Sequence, residues 1–438
     1  MNISVIGTGY VGLITGTCLA ELGMNVVCVD KDEEKINSLK NFQIPIYEPG
    51  LETIVKRNFL KNRLIFTTKI KEAVIKSDAI FISVGTPSSR DGKVDLKYIH
   101  QAAKEIADCM DSYKLIIIKS TVPIGTCRHV KRIIEHVLKE QNKMVEFDIV
   151  SNPEFLREGS ALYDFSCPDR IVIGVESEKA KSLMRSIYNA DIFKNTPFIE
   201  TTIETSEMIK YASNAFLATK ISYINEIANI CELCGADIKI VAEAMGLDQR
   251  IGDKFLNPGP GFGGSCFPKD IKAIIMIGKD LGYTPNIIKS VMKSNLLQKK
   301  HSVKMIKDVV GDFRNKTFTV LGLAFKPETD DIRESPSIFI VKELLKHGGK
   351  VKVFDPKAMD NMKKLNPKLK VTYCDCENSA CEGSDCIILA TEWNQFKSLD
   401  FAKLISTVNT PIIIDLKNLF DPNEIRDLGF LYKGVGRQ

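Results

Sequence analysis

The chain has 438 residues, 44% hydrophobic and 26% charged, which is enough for two or three domains, each with a core of its own. Its 60 basic and 55 acidic residues leave a formal charge of +5, which gives nucleic-acid binding no support, and no apolar run reaches membrane-spanning length. The twelve cysteines are scattered, many inside apolar runs, and in a chain this long they read as reduced thiols rather than a disulfide framework. Cys231 and Cys234 form one C-x-x-C with no second pair nearby, and Cys374, Cys376, Cys381 and Cys386 lack a paired C-x-x-C spacing, so no metal is expected. The N-terminus runs straight into a strand with neither a basic leader nor a cleavable apolar segment, and a soluble cytoplasmic protein is the expectation.

In chain order, Ile3 to Ile6 is a short apolar strand, followed at once by Gly7-Thr8-Gly9-Tyr10-Val11-Gly12 and a helix that stops at Gly23. A second strand, Asn25 to Val29, ends in Asp30. Strand, G-x-G-x-x-G, helix, strand, acid is the dinucleotide fingerprint in its required context. Gly7 allows the sharp turn, Gly9 lets a pyrophosphate approach the backbone, and Gly12 lets the helix pack on the sheet. The helix N-terminus stabilises the anion. Asp30 can accept both adenosine ribose hydroxyls and would repel a 2′-phosphate, which selects NAD over NADP. Lys35, a turn into the next helix, either reaches that ribose or is simply solvated.

Leu64 to Phe66, Ala79 to Val84, Leu115 to Lys119 and Phe147 to Val150 read as further buried parallel strands. Ligands in such sheets sit beyond the C-terminal strand ends, which singles out Gly85-Thr86-Pro87 and Ser120-Thr121-Val122-Pro123, although each also suits a plain strand-ending turn. The loop Ser151 to Gly159 packs Glu154, Arg157 and Glu158 beside Asn152, either as a site or as a solvated charged face. From Thr205 to about Cys234 the pattern is one long helix carrying Lys210 and Asn214 at i, i+4 on one face. A helix of that length between two sheet domains is a natural spine and dimer surface.

Residues 257 to 270, NPGPGFGGSCFPKD, place Cys266 on a loop with glycines at 259, 261, 263 and 264. A thiol acts as a nucleophile through its thiolate, and a cation such as Lys269 favours that form. The stretch by itself also suits a glycine-rich surface loop with an incidental buried cysteine. A second strand and helix alternation follows, through Thr317 to Leu323, Lys350 to Phe354, Cys386 to Ala390 and Pro411 to Asp415. Its opening turn, Gly322 to Lys326, lacks the fingerprint glycines and is expected to bind something other than NAD, with Lys326 and Arg333 as cations suited to phosphate or carboxylate.

Taken together, GTGYVG at Gly7, STVPIGT at Ser120, SNPEFLREGSA at Ser151, Lys210 with Asn214, DQRIGDKFLNPGPGFGGSCFPKD at Asp248 and FKPETDDIRES at Phe325 resemble the UDP-glucose/GDP-mannose dehydrogenase family over essentially the whole length. The resemblance implies an α/β fold of two Rossmann-like doubly wound domains joined by a long central helix. It divides the chain into an NAD-binding domain over 1–200, a central dimerisation domain with the cysteine loop over 201–304, and a UDP-sugar-binding domain over 305–438.

It further implies a four-electron oxidation of a sugar C6 alcohol to a carboxylate with two NAD and one water. The serine before the cysteine is similar to the UDP-glucose branch rather than to the GGHC of N-acetylhexosamine branches, so UDP-glucose is the expected substrate and a homodimer the expected assembly. Cys266 is implied as nucleophile, Lys210 and Asn214 as the groups that stabilise the C6 oxyanion, Asp270 and Thr121 as positioners of a water, and Glu154 as the general base for thioester hydrolysis.

Residues implied around NAD are Val11, Asp30, Lys35, Thr86, Thr121, Glu158, Lys269 and Arg333, beside Gly7, Gly9, Tyr10 and Gly12 of the fingerprint. Substrate contacts are implied for Glu154, Phe155, Leu156, Arg157 and Glu158, for Lys210 and Asn214, for Phe255, Leu256, Asn257, Pro258, Gly259 and Gly263, and for Lys326, while Arg250 would reach the partner subunit's site. The competing expectations are a dehydrogenase for another sugar nucleotide, a two-electron hydroxy-acid dehydrogenase that needs no cysteine, and a non-catalytic NAD and sugar-nucleotide sensor.

Overall fold

The computed structural model describes residues 1–89 and 92–437. The chain divides into two compact units, Met1–Ser213 with Lys272–Leu281, and Asn214–Ile271 with Gly282 onward. Gln438, the last residue of the expected third domain, lies outside the described residues.

The first unit is built on an eight-stranded sheet of β1 (Asn2–Ile6), β2 (Asn25–Val29), β3 (Leu64–Thr67), β4 (Ala79–Ile82), β5 (Lys114–Ile118), β6 (Phe147–Ser151), β7 (Ile171–Gly174) and β8 (Phe198–Thr201). The strand order is β3-β2-β1-β4-β5-β6-β7-β8, with β1 to β6 parallel, β7 antiparallel to β6, and β8 parallel to β7. Every residue of β4 and β5 is buried, as expected for strands covered on both faces.

The period of two divides their side chains between two separate cores. Phe81, Leu115 and Ile117 pack with Leu13 and Val55 on one face. Ile80, Ile82, Ile116 and Ile118 pack with Ile106 and Ile134 on the other. The strands β7 and β8 extend the sheet beyond the four strands expected after the fingerprint pair, and the half-exposed β8 forms its edge.

The second unit holds β9 (Thr317–Leu321), β10 (Lys350–Phe354), β11 (Thr372–Tyr373), β12 (Cys386–Leu389), β13 (Ile412–Asp415) and β14 (Leu431–Gly434) in an all-parallel sheet. Its order, β11-β10-β9-β12-β13-β14, is the same doubly wound order as β3 to β6 of the first unit. The likeness extends to the first turn. Gly322 after β9 has φ +93°, and a Cβ there would meet the Thr391 side chain at 2.4 Å. Asp355, just after β10, accepts hydrogen bonds from the backbone N–H groups of Leu323 and Ala324 at 2.7 and 3.0 Å. Ala324, fully buried, stands two residues after Gly322, where the first unit has Gly9 two residues after Gly7.

Three helices matter for the site. Ile203–Cys234 is a 32-residue helix, Phe267–Asp280 a 14-residue helix that starts directly after Cys266, and Asn286–Val310 a 25-residue helix. No helix among the described residues is long and apolar enough to cross a membrane.

Candidate active site

The dinucleotide loop follows from what three glycines permit. Gly7 has φ +99°, and a Cβ there would lie 2.7 Å from the Ser83 carbonyl oxygen. At Gly12 a Cβ would lie 1.9 Å from the Gly7 carbonyl oxygen, so only hydrogen lets the helix Tyr10–Glu21 pack this close to the turn. Gly9 is different: a Cβ there would meet nothing within 4 Å. Gly9 also caps that helix with no side-chain hydrogen bond to its first N–H groups. Open space over an uncapped helix N-terminus fits the pyrophosphate of a dinucleotide.

Asp30 stands at the end of β2, as a ribose acceptor should. Its Oδ2 accepts from the Thr8 N–H at 2.9 Å, the Thr8 hydroxyl at 2.7 Å and the Lys35 ammonium at 2.8 Å. Burial works against the charge, yet Lys35 and the two Thr8 donors overcome it and bring Asp30 down to about 2. Lys35 is thus bound to the acid rather than simply solvated. The loops after β4 and β5 are tied together by the Ser120 hydroxyl, which donates to the Val84 carbonyl at 2.7 Å, and the half-buried Thr86 and Thr121 flank that tie.

In the same unit, Glu154 and Lys210 are both buried and paired, Nζ to Oε1 at 3.0 Å. The other carboxylate oxygen accepts from the backbone N–H of Leu156, and the Lys210 ammonium lies 5.4 Å from the centre of the Phe155 ring. Arg157 is turned to Asp164, with contacts from 2.5 Å. The loop is closed by Glu48, whose carboxylate accepts from the N–H of Gly159 at 2.6 Å, from the N–H of Ala161 at 2.7 Å and from the Tyr10 hydroxyl. Glu48 therefore links the fingerprint helix to the 154–159 loop. No sequence signal had singled it out, because an isolated acid in a loop has no pattern.

In the second unit, Cys266 directly precedes the helix Phe267–Asp280, and its carbonyl accepts the Asp270 N–H at 2.9 Å. The sulfur thereby stands at the helix end where N–H groups and the dipole favour an anion. Sequence reading had looked to Lys269 for that charge. Lys269 pairs with Asp270 Oδ1 at 2.6 Å, while Asn214 donates to Asp270 Oδ2 at 2.6 Å. Lys210 and Asn214, one turn apart on the helix Ile203–Cys234, therefore each hold a different carboxylate.

The cysteine loop needs its glycines for close backbone approach. A Cβ at Gly263 would lie 2.6 Å from the Glu334 carbonyl, and one at Gly264 would lie 2.9 Å from the Phe325 ring. Gly264 also donates to the Arg333 carbonyl at 2.8 Å. Asn225, Asn295 and Gln298 bond the backbone of Gly259 and Phe262, three polar residues that helical periodicity alone does not distinguish. Leu256, Pro258 and Gly259 are buried, and Phe255, at φ +64°, turns the chain into them. Lys326 is half-buried; Arg333 is paired with Asp331 at 2.6 Å and Arg250 with Asp248 at 2.6 Å, the Arg250 side chain being 88% exposed.

The family model for the UDP-glucose/GDP-mannose dehydrogenase NAD binding domain matches residues 1–192, that for the central domain 204–296, and that for the UDP binding domain 319–422. The chain belongs to the UDP-glucose/GDP-mannose dehydrogenase family. A UDP-glucose 6-dehydrogenase of Rhizobium meliloti is 47% identical over 444 residues, covering 100% of both chains. The UDP-glucose 6-dehydrogenase TuaD of Bacillus subtilis is 47% identical over 100% of this chain and 93% of its own. Among solved structures, a UDP-glucose dehydrogenase from Pyrobaculum islandicum superposes with a TM-score of 0.91 at 38% identity, covering 100% of this chain and 98% of that one. The family is NAD-dependent, and the first unit carries its NAD-binding fingerprint with the glycine and acid geometry described above.

Proposed function

We propose that the protein oxidises the C6 alcohol of UDP-glucose to the carboxylate of UDP-glucuronate, consuming two NAD and one water. The observation that carries this reading is Cys266 at the N-terminus of a helix whose first turn holds the buried Asp270 carboxylate between the buried Asn214 amide and the half-buried Lys269 ammonium, in a chain alike over its full length to enzymes named for that reaction. A two-electron dehydrogenase or a sensor has no use for such a thiol.

Gly7, Gly9, Gly12, Asp30 and the 86 and 121 loops would hold the dinucleotide. When bound, NAD supplies the two-electron acceptor for each of the two oxidations at C6. The chain's own work lies around them. Lys210 and Asn214 donate to the C6 oxygen and stabilise the negative charge that develops on it. Once C6 is an aldehyde, the Cys266 thiolate adds to the carbonyl carbon, forming a C–S bond and an oxyanion that takes a proton as the thiohemiacetal. That carbon keeps its one hydrogen, now on a tetrahedral centre that can give it up as hydride, and loss of that hydride with the hydroxyl proton leaves a thioester. Glu154 accepts a proton from water, the resulting hydroxide equivalent adds to the thioester carbon, and the C–S bond breaks with the electron pair returning to Cys266. Asp270, held by Asn214 and Lys269, together with Thr121, positions water for proton transfer.

The remaining contacts fall on the segments 154–158 and 255–259, with Gly263 and Lys326, for the sugar nucleotide. Glu158, Lys269, Arg333, Val11 and Tyr10 would contact the dinucleotide. The working division of the chain is 1–200, 201–304 and 305–438. A homodimer is supported by the apolar stripe Phe216, Tyr223 and Ile230, exposed at 65, 49 and 56% and spaced by seven on the helix Ile203–Cys234. Arg250 then extends into the partner's substrate site. We place the enzyme in the cytoplasm, in keeping with its free cysteines.

Counting NADH formed per UDP-glucose consumed, with product identification, tests the reading. Two NADH and UDP-glucuronate are expected. One NADH with an accumulating aldehyde, or selective turnover of an N-acetylated sugar nucleotide, would overturn it.

A further inference from the structure

Lys119, the residue after β5, is buried, and the mechanism above does not use it. Among the described residues its ammonium has only neutral hydrogen-bond partners, Asn152 Oδ1 at 3.1 Å and the Tyr188 hydroxyl at 3.5 Å. Those partners do not need it. Asn152 Oδ1 already accepts from the Tyr188 hydroxyl at 2.7 Å, and Asn152 Nδ2 donates to the Val172 carbonyl at 2.8 Å. A buried cation without a bonded anion is costly, and replacing such a group by an apolar one of similar shape is often neutral or stabilising. Burial accordingly pulls the Lys119 ammonium down to about 8, with Glu154 acting to keep the proton on and Lys210 acting to remove it. Lys119 is thus charged through the acid and neutral range, and Glu154 lies two residues beyond its partner Asn152.

We propose that Lys119 is a positioning residue for the hydrolytic step, a second buried cation that joins Lys210 in keeping Glu154 as the carboxylate, with Asn152 and Tyr188 fixing its place. Among the described residues, Glu154 is paired with Lys210 at 3.0 Å, Lys119 is bonded to Asn152 and Tyr188 two residues back along the loop, and Arg170 lies over the ring of the adjacent Phe155 at 3.7 Å. The inference rests on the reading of Glu154 as the base for thioester hydrolysis. Removing a nearby positive charge makes a carboxylate easier to protonate, so the acid limb of turnover moves to higher pH.

The test is the pH profile of kcat for the full-length enzyme, its Lys119→Met and Lys119→Gln variants and Glu154→Gln, with mass spectrometry of the acyl group on Cys266. Both Lys119 variants are expected to fold with an unchanged or higher Tm, to shift the acid limb up by about one pH unit, and to accumulate thioester below it. An unmoved limb in Lys119→Met overturns the proposal, as does a native limb in Lys119→Gln, which would assign the effect to a hydrogen bond. A Lys119→Met protein that is destabilised or fails to fold also overturns it, because the role is then structural. Glu154→Gln separates the two levels. If it blocks hydrolysis while Lys119→Met changes nothing, only this inference falls, whereas unimpaired hydrolysis in Glu154→Gln removes the reading beneath it.

Discussion

Asn214 donates through Nδ2 to Asp270 Oδ2 at 2.6 Å, while Lys269 occupies the other carboxylate oxygen at the same distance. The contact fixes the direction of the Asn214 amide and keeps a buried carboxylate satisfied by two donors at the start of the helix that Cys266 precedes. Asn214→Ala leaves one oxygen of Asp270 without its donor, and a buried acceptor stripped in this way costs about 1–3 kcal/mol. The expected result is a lower Tm together with a kcat reduced by about 10²-fold, measured by thermal melts and NADH formation. A kcat that stays native while Tm drops would remove Asn214 from the chemistry.

Cys266→Ala is expected to abolish turnover while leaving UDP-glucose affinity within about threefold, since the thiol contributes a bond to the reacting carbon and little to ground-state binding. Calorimetry for binding and absorbance for NADH check the two halves. Cys266→Ser is expected to trap an ester that hydrolyses slowly, visible as a mass increase on the intact protein.

The fingerprint glycines separate stability from cofactor binding. Gly12→Ala puts a methyl 1.9 Å from the Gly7 carbonyl and should destabilise the first unit by several kcal/mol. Gly9→Ala meets nothing within 4 Å and should leave Tm unchanged while raising the KM for NAD about tenfold or more, because the methyl occupies the space the pyrophosphate needs. Paired melts and NAD titrations distinguish the two. Equal effects on Tm would refute the assignment of that space to the cofactor.

Asp30, held down to about 2 by Lys35 and Thr8 against the effect of burial, gives a pH signature. A depressed carboxylate stabilises the fold above its unfolded pKa of about 4, and the contribution is lost as pH falls from there toward 2. Comparing the Tm of the native protein and Asp30→Asn, the difference should be constant from pH 5 to 7 and shrink below pH 4. The same variant should lose discrimination between NAD and NADP, since the charge that repels a 2′-phosphate is gone.

Much of this was legible before folding because it is written in local, periodic or short-range signals. G-x-G-x-x-G after an apolar strand, the acid at the end of the next strand, the short apolar runs of β4 and β5 and the breaker-free stretch up to Cys234 each follow from backbone sterics or burial of neighbouring residues. Four strands, β7, β8, β11 and β14, show no signal in the sequence because stretches of two to four residues such as IVIG and FIET are too short to show a period, and only pairing with neighbouring strands makes them strands.

The pairings that organise the site were decided by tertiary structure. Glu154 and Lys210 are 56 residues apart, as are Asn214 and Asp270, and which acid takes which donor depends on where sheet and helices bring them. Glu48 and Lys119 carry no motif at all. A carboxylate or ammonium acquires its role from the dielectric and the donors around it, and those exist only once the chain has packed.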